Sequence, residues 1–452
     1  MPNTISISSS TDVVSVPSKA STIGTSATPQ NVENHQKRCV ASVKKNYFYN
    51  LVYQLLTILL PFITTPYVSR VLGAENIGIF SFVNANVVYF VLIGVFGLST
   101  YSQLEVARKR DDDRELRQFC VESLLTRFIT MGFSIIVFIS FYIVANQQYR
   151  ILYIISLCTL LANILDITWI YQGLEEFKII TVKNFIVKIA GIIAIFVFVR
   201  NRDDLTCYLS INCVSTLLGN LILIPYVKKY MRVEKVKELL ANVEQIRILP
   251  HLRASLVYFL PSVASVIITT VDKLMIGWFA INMSQNGFYE QAVKIENAIF
   301  MIFASLNLTM RPRMAYLYKH NQIDEINYYM SKSMSWFLFL VTPVMFGLIQ
   351  IADIFVPWFF GEGYSGVIIL LKIMSCWLLI TVIGSCFLEQ SIVPKGGQVL
   401  ATKIIWCAAI INAILNYLLI PKYSSVGAAI ASLITEALVL MITINIVRKD
   451  VY

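Results

Sequence analysis

The sequence predicts an all-α polytopic membrane protein, and three observations carry that reading. About twelve apolar stretches run from Tyr47 almost to the end of the chain, each near the ~20 residues of helix that a ~30 Å hydrocarbon core requires. Hydrophobic residues make up 57% of the 452 and charged ones only 14%, where a soluble domain carries roughly a quarter. Lysine and arginine concentrate in alternate connecting segments, the pattern that orients spans in a bilayer.

Residues 1–43 are predicted to be a disordered cytoplasmic tail. The first 36 are rich in Ser, Thr, Val and Pro and contain no apolar core of a signal peptide. Lys37, Arg38, Lys44 and Lys45 then hold the entrance to the first span on the cytoplasmic side. Spans follow at 47–69, 77–100, 120–145, 151–170, 180–200 and 206–226, and again at 254–280, 288–310, 333–353, 366–386, 399–420 and 427–447. The basic stretch 227–253, with a charged helix-like run Val233 to Ile246, sits between them as a cytoplasmic linker. It divides the chain into an N-terminal six-helix bundle, 44–226, and a C-terminal one, 254–452, the arrangement of two related halves common in transporters.

One set of segments holds Arg108, Lys109, Arg110, Arg114, Arg117, Lys178, the linker, Arg311, Arg313, Lys319, Lys332, Lys395, Arg448 and Lys449. The opposite set holds only Arg70, Arg150, Arg200, Arg202 and Lys422, which predicts an even number of spans with both termini in the cytoplasm. This scatter also accounts for the net charge of +10, so no nucleic-acid partner is predicted. An enzyme acting outside the cell is disfavoured, because the longest external loop is about Asp353 to Ser365. No nucleophile elbow, phosphate-cradling Gly-rich loop or metal-ligand cluster is present in the sequence, and no cofactor is expected. Seven of the eight cysteines, Cys120, Cys158, Cys207, Cys213, Cys376, Cys386 and Cys407, are spread through apolar runs without a CxxC pair and read as free buried thiols. The three histidines, His35, His251 and His320, fall in polar segments.

Function is sought among charges inside spans, since each costs at least about 2.5–3.5 kcal/mol at mid-depth. Lys183, Lys372, Lys403 and Asp166 lie near helix ends and are read as snorkelling. Arg127 is deeper, on a polar stripe with Ser123, Thr126, Thr130 and Ser134; Lys188 shares a face with Asn184 and Gly191. Glu290, Lys294 and Asn297 mark the eighth span, with an intrahelical Glu290 to Lys294 pair as the simple structural account. Adjacent Asp272 and Lys273 must point in different directions, and Glu436 stands mid-span beside Ser432 and Thr435. Arg127, Lys188, Lys273 and Lys294 suit an anionic substrate, whereas Asp272, Glu290 and Glu436 suit ion coupling or gating. A static buried ion-pair network that fixes helix register is the competing account. The aromatics of Tyr47 to Tyr53, Trp169 to Tyr171 and Trp358 to Phe360 read as interfacial belts.

Three stretches then carry a family likeness: Pro66 to Phe82 (PYVSRVLGAENIGIFSF), Asp166 to Phe177 (DITWIYQGLEEF) and Val271 to Gly277 (VDKLMIG). In this order on a twelve-span chain they resemble the bacterial Wzx/RfbX-type flippases of lipid-linked oligosaccharide repeats. The likeness extends from Lys44 to the end. It implies a fold shared with MATE-type exporters, two six-helix bundles facing each other across a central cavity. It implies as partner an undecaprenyl-pyrophosphate-linked oligosaccharide in the bacterial cytoplasmic membrane, delivered for O-antigen, capsule or exopolysaccharide assembly, with a polysaccharide polymerase and chain-length machinery downstream. In such a scheme the prenyl tail stays in membrane lipid between the bundles. A MATE-like drug exporter is the alternative on the same architecture; a membrane polysaccharide polymerase is the alternative of another class. A peptidoglycan-precursor flippase is a closer cousin expected to have additional spans.

Overall fold

The computed structural model describes residues 29–145, 148–227 and 247–451, and the side-chain surroundings from Leu60 to Arg448. The chain resolves into two compact units, Met1–Phe48 and Tyr49–Tyr452. Of the first, helical backbone from Pro29 is described; residues 1–28 of the expected tail lie outside the described residues. Most of the linker, with the run Val233 to Ile246, also lies outside the described residues, and its end is already helical from Ile248.

The described residues form helices in the order α1 (Pro29–Val95), α2 (Leu98–Lys109), α3 (Asp113–Phe138), α4 (Arg150–Ile164), α5 (Thr168–Gly173), α6 (Phe177–Phe198), α7 (Leu205–Val227), α8 (Ile248–Phe279), α9 (Ser284–Lys319), α10 (Ile323–Phe360), α11 (Ser365–Phe387) and α12 (Gln398–Val451). Among the described residues, ten helical segments are long and apolar enough to cross a membrane. Two of them carry a pair of expected spans each. The first breaks at Gly73 (φ 77°), a backbone that glycine adopts freely, and the last at Ser424 (φ 51°), three residues after Pro421. All the expected spans therefore fall on helix, and the protein is an all-α, multi-pass membrane protein. Large apolar side chains such as Phe133, Ile136, Ile151, Val257, Phe339 and Ile354 point outward, as a lipid-facing surface requires.

Local chemistry explains the ends. The second span stops at Val95, earlier than expected, because Phe96 (φ 49°) and Gly97 (φ 73°) turn the chain into α2. Helix α3 starts on Asp112, whose carboxylate accepts from the backbone N–H of Arg114 (2.7 Å) and Glu115 (3.1 Å). The Glu115 and Arg114 amides hold that carboxyl below its ordinary range.

Two expected aromatic belts are corrected. Trp169 and Tyr171 are buried in a cluster with Phe119, Ile180 and Leu223; the Trp169 indole donates to Asp166 O and the Tyr171 hydroxyl to Leu223 O. Both polar tips have protein partners, so neither ring needs an aqueous interface. Phe359 and Phe360 are likewise buried, and Trp358 alone of that trio is exposed.

Helices from each half of the chain pack chiefly among themselves: α4 and α6 on α7 in one, and α10, α11, α12 and α8 in the other. The halves meet tightly at one end, the end that carries Arg70, Arg202 and Gly361. There Gly78 of α1 lies directly against the Met283 carbonyl, and Gly287 of α9 against the Ala74 carbonyl. The Asn286 amide donates to Gly78 O (3.2 Å), Tyr364 to Ser69 O (3.0 Å), and Arg70 to Trp358 O. At the opposite end α2 and α3 touch α8, with Phe96 stacked on Phe259 at 4.4 Å.

Candidate functional site: three adjoining cavities

Three cavities adjoin one another within the spanning region. The first, about 410 Å³, opens between α1, α6 and α7. Lys183, Asn184, Lys188 and Gly191 line it from α6, and Asn212, Thr216 and Asn220 from α7, both at helical spacing. Lys188 stands where its polar stripe predicts. Lys183, read from sequence as snorkelling, is instead buried and lines the cavity, because it stacks one turn before Val187 and two before Gly191 on the wall they share.

The second cavity, about 200 Å³, shares Pro61 with the first. Its walls are apolar, with Phe62, Met301 and Phe359, and its polar groups are Thr65, Lys294 and Asn297. Beneath it lies an ion-pair group that joins three segments of sequence, α1, α8 and α9. Glu290 accepts from Lys273 (2.7 Å), Lys294 (3.4 Å) and Ser81 (2.8 Å). The Glu290 to Lys294 pair expected within one helix is present, and Lys273 from α8 is added to it. One carboxylate thus faces two ammonium groups, leaving the group net cationic.

The third cavity, about 270 Å³, shares Asn297 with the second. Asp272, Glu296 and Glu436 line it, with Trp377, Thr381, Asn412 and Ser432. Asp272 turns away from Lys273, as adjacency on a helix demands, and accepts from Tyr289, Asn416 and Ser432. Glu436 faces the cavity, and the Glu296 carboxyl neighbours it with its Oε2 unpartnered. Sequence reasoning passed over Glu296, although it continues the Tyr289, Val293, Phe300 face of α9. Among the described residues no group of three His, Cys, Asp or Glu side chains is placed to hold a metal ion.

Arg127 stands apart from these cavities. Its side chain is 2% exposed and has three protein partners: Asp166 (3.3 Å), Asn163 O (2.8 Å) and Ser99 (3.4 Å). The expectation that it faces a substrate gives way to a clamp between α3 and the turn after α4; Asp166, read as snorkelling, is the other jaw. At the same end, His251 Nε2 lies 2.7 Å from Glu122, and the Tyr101 hydroxyl 3.0 Å from Nδ1. Both contacts fit one tautomer, with Nε2–H donating to Glu122 and the Tyr101 O–H donating to Nδ1. This link ties α2 and α3 to α8 beside a cavity of about 570 Å³.

Together, the outward apolar surface and the polar cavities between helices define a polytopic protein with a transporter-type fold. The fold matches a solved structure of the lipid II flippase MurJ in an inward closed conformation, with TM-score 0.69 and 16% identity over 89% of this chain and 87% of that one. It also matches an inward-facing MATE-family multidrug transporter of the MOP superfamily, with TM-score 0.64 and 13% identity over 89% and 98%. The model of the family described as polysaccharide biosynthesis protein matches residues 43–318, more than half of the chain, and the chain belongs to that family. Similar proteins include one of Escherichia coli K12 provisionally named an O-antigen transporter, 23% identical over 90% of this chain and 97% of that one. Another is the capsular polysaccharide biosynthesis protein CapF of Staphylococcus aureus, 23% identical over 88% and 97%.

Proposed function

We propose that this protein is a transporter, not an enzyme, that turns undecaprenyl-pyrophosphate-linked oligosaccharide repeats across the bacterial cytoplasmic membrane by alternating access. The observation that carries the reading is the second cavity: an apolar slot with Lys294 at its polar edge, adjoined by polar cavities on either side. A lipid pyrophosphate needs that combination, cationic groups in place of lost water and an apolar wall for the prenyl chain. Lys188, Lys273 and Lys294 hold the anion, and Lys183 joins them. Arg127 braces its helices. Asp272, Glu290 and Glu436 serve coupling or gating. The names of the O-antigen and capsule relatives support polysaccharide precursors as cargo. In this reading residues 44–226 and 254–452 are the two moving bundles, both termini are cytoplasmic, and the end that carries Arg70 faces outward. A polymerase and chain-length machinery receive the delivered repeat.

The test is deletion followed by lipid extraction. Accumulation of a complete undecaprenyl-pyrophosphate repeat with loss of surface glycan, reversed by wild type but not by Lys294→Ala, is expected. Unchanged glycan with altered resistance to cationic drugs favours a MATE-like exporter, a reading that the carboxylates and Trp377 of the third cavity support. Normal translocation with failed chain growth would return the polymerase.

A further inference from the structure

The cavities differ in charge, and that difference has chemical content. Lysines line the first and second, whereas the third has carboxylates and, among the described residues, no lysine or arginine. Lys273, next to Asp272 in sequence, is drawn away by Glu290 at 2.7 Å. A phosphate or an acidic sugar finds no cationic partner in such a place.

The third cavity nevertheless lacks partners for groups buried in its wall. Glu296 is 4% exposed, yet its Oε2 accepts no hydrogen bond; Trp377 Nε1 and Thr381 Oγ1 also have none. Each such group costs free energy unless something in the cavity satisfies it. The occupant must donate to carboxylates and accept from an indole N–H, while offering a weakly polar face to an aromatic wall. A bare metal ion cannot accept from Trp377, and an ammonium ion cannot either. A pyranose ring does all three: its hydroxyls donate and accept, and its C–H face lies against rings. The volume, about 270 Å³, is on the scale of one sugar.

We propose that the third cavity is a sugar subsite that takes an uncharged hexose or N-acetylhexosamine of the lipid-linked repeat, with Glu296, Glu436 and Trp377 as its specificity-determining residues. This rests on the flippase reading and refines it. Asn297 lines both this cavity and the slot of Lys294, so a pyrophosphate held by Lys294 places the sugar attached to it at the mouth of the subsite. Anion recognition and sugar recognition are divided between neighbouring cavities, one with a lysine and one without, and an acidic sugar is disfavoured in the third.

The experiment measures binding to the full-length protein in lipid nanodiscs of three probes: undecaprenyl pyrophosphate, the same lipid bearing N-acetylglucosamine, and the same lipid bearing glucuronic acid. The N-acetylglucosamine lipid is expected to bind at least about tenfold more tightly than the bare lipid, and the glucuronic acid lipid no better than the bare one. Glu296→Gln and Trp377→Phe, checked for an unchanged melting temperature, should each remove most of that gain and leave bare-lipid affinity within about twofold. Glu436→Gln gives a second route should either variant fail to fold. No gain from the sugar, a gain that survives all three variants, or preference for the acidic sugar overturns the subsite while leaving the flippase intact. Tetraphenylphosphonium binding that these variants abolish, with the sugar gain untouched, also overturns it in favour of a cation site. Failure of the wild type to bind any of the lipids overturns the flippase reading itself.

Discussion

Gly287→Ala tests whether the contact between the chain's two halves near Arg70 is a closure that opens during transport. A Cβ at Gly287 would lie 1.9 Å from the Ala74 carbonyl oxygen, 2.9 Å from its carbon and 3.2 Å from Gly78 N. All three neighbours are backbone, so no rotamer change relieves the overlap. Ordinary contact begins at 3.4 Å, which means α9 and α1 must part by about 1.5 Å. Overpacking of this kind costs about 1–3 kcal/mol, which shifts a two-state equilibrium about 5- to 150-fold toward the state in which the helices are apart. The assay is the rate at which a water-soluble maleimide, added on the Arg70 side, labels Ala298→Cys in the second cavity on a cysteine-free background. Labelling should rise by at least about fivefold in Gly287→Ala. Gly132→Ala is the control, because nothing lies within 4 Å of its new Cβ. Equal labelling of Gly287→Ala and wild type, in protein of normal expression and melting, would refute the idea that this crossing is a closure.

Four further outcomes follow from the same contacts. Glu290→Gln leaves Lys273 and Lys294 without their carboxylate; loss of roughly 3–5 kcal/mol is expected from breaking a buried pair, read as a sharp fall in melting temperature, whereas Lys294→Ala leaves the 2.7 Å Lys273 bond and should cost less. Arg127→Ala should lower thermal stability by a similar amount through the loss of Asp166, Asn163 and Ser99, yet leave the affinity for undecaprenyl pyrophosphate within about twofold, since Arg127 lines none of the three adjoining cavities. His251→Phe removes a charge-assisted bond worth about 1.5–3 kcal/mol at the end opposite Gly287, so probe entry from that end should quicken; unchanged entry would separate the His251 to Glu122 link from closure. Asp112 has a depressed carboxyl pKa in the fold, so its cap is present above the unfolded Asp pKa of about 3.9 and lost as pH falls through the folded value; protection factors for hydrogen exchange in the first turn of α3, corrected for the intrinsic rate at each pH, should stay flat between pH 6 and 8 and fall only in acid.

The spans were legible in the sequence because the bilayer itself sets their length, and because helix is the way an isolated segment pairs every backbone group in lipid. Helical periodicity also placed Lys188, Lys294 and Glu436 on polar faces, and each lines a cavity. It equally required that Asp272 and Lys273 diverge, and they do. Periodicity, however, says which way a side chain points and not what it meets. Arg127 and Lys188 look alike in sequence, each a cation on a polar stripe; the first pairs with a carboxylate 39 residues away and lines none of the three cavities, while the second lines one. Glu290 had an obvious partner one turn along, and only packing supplied Lys273 and Ser81. Trp169 carries the aromatic signal of a membrane interface but is buried, since its indole N–H finds Asp166 O. The sequence by itself determined a helical membrane protein with charges at depth, through constraints that act along one helix. Which charges are clamps, which line cavities, and that a lysine-lined slot adjoins an acidic pocket through Asn297, were decided by contacts between helices far apart in the chain, where no one-dimensional period reaches.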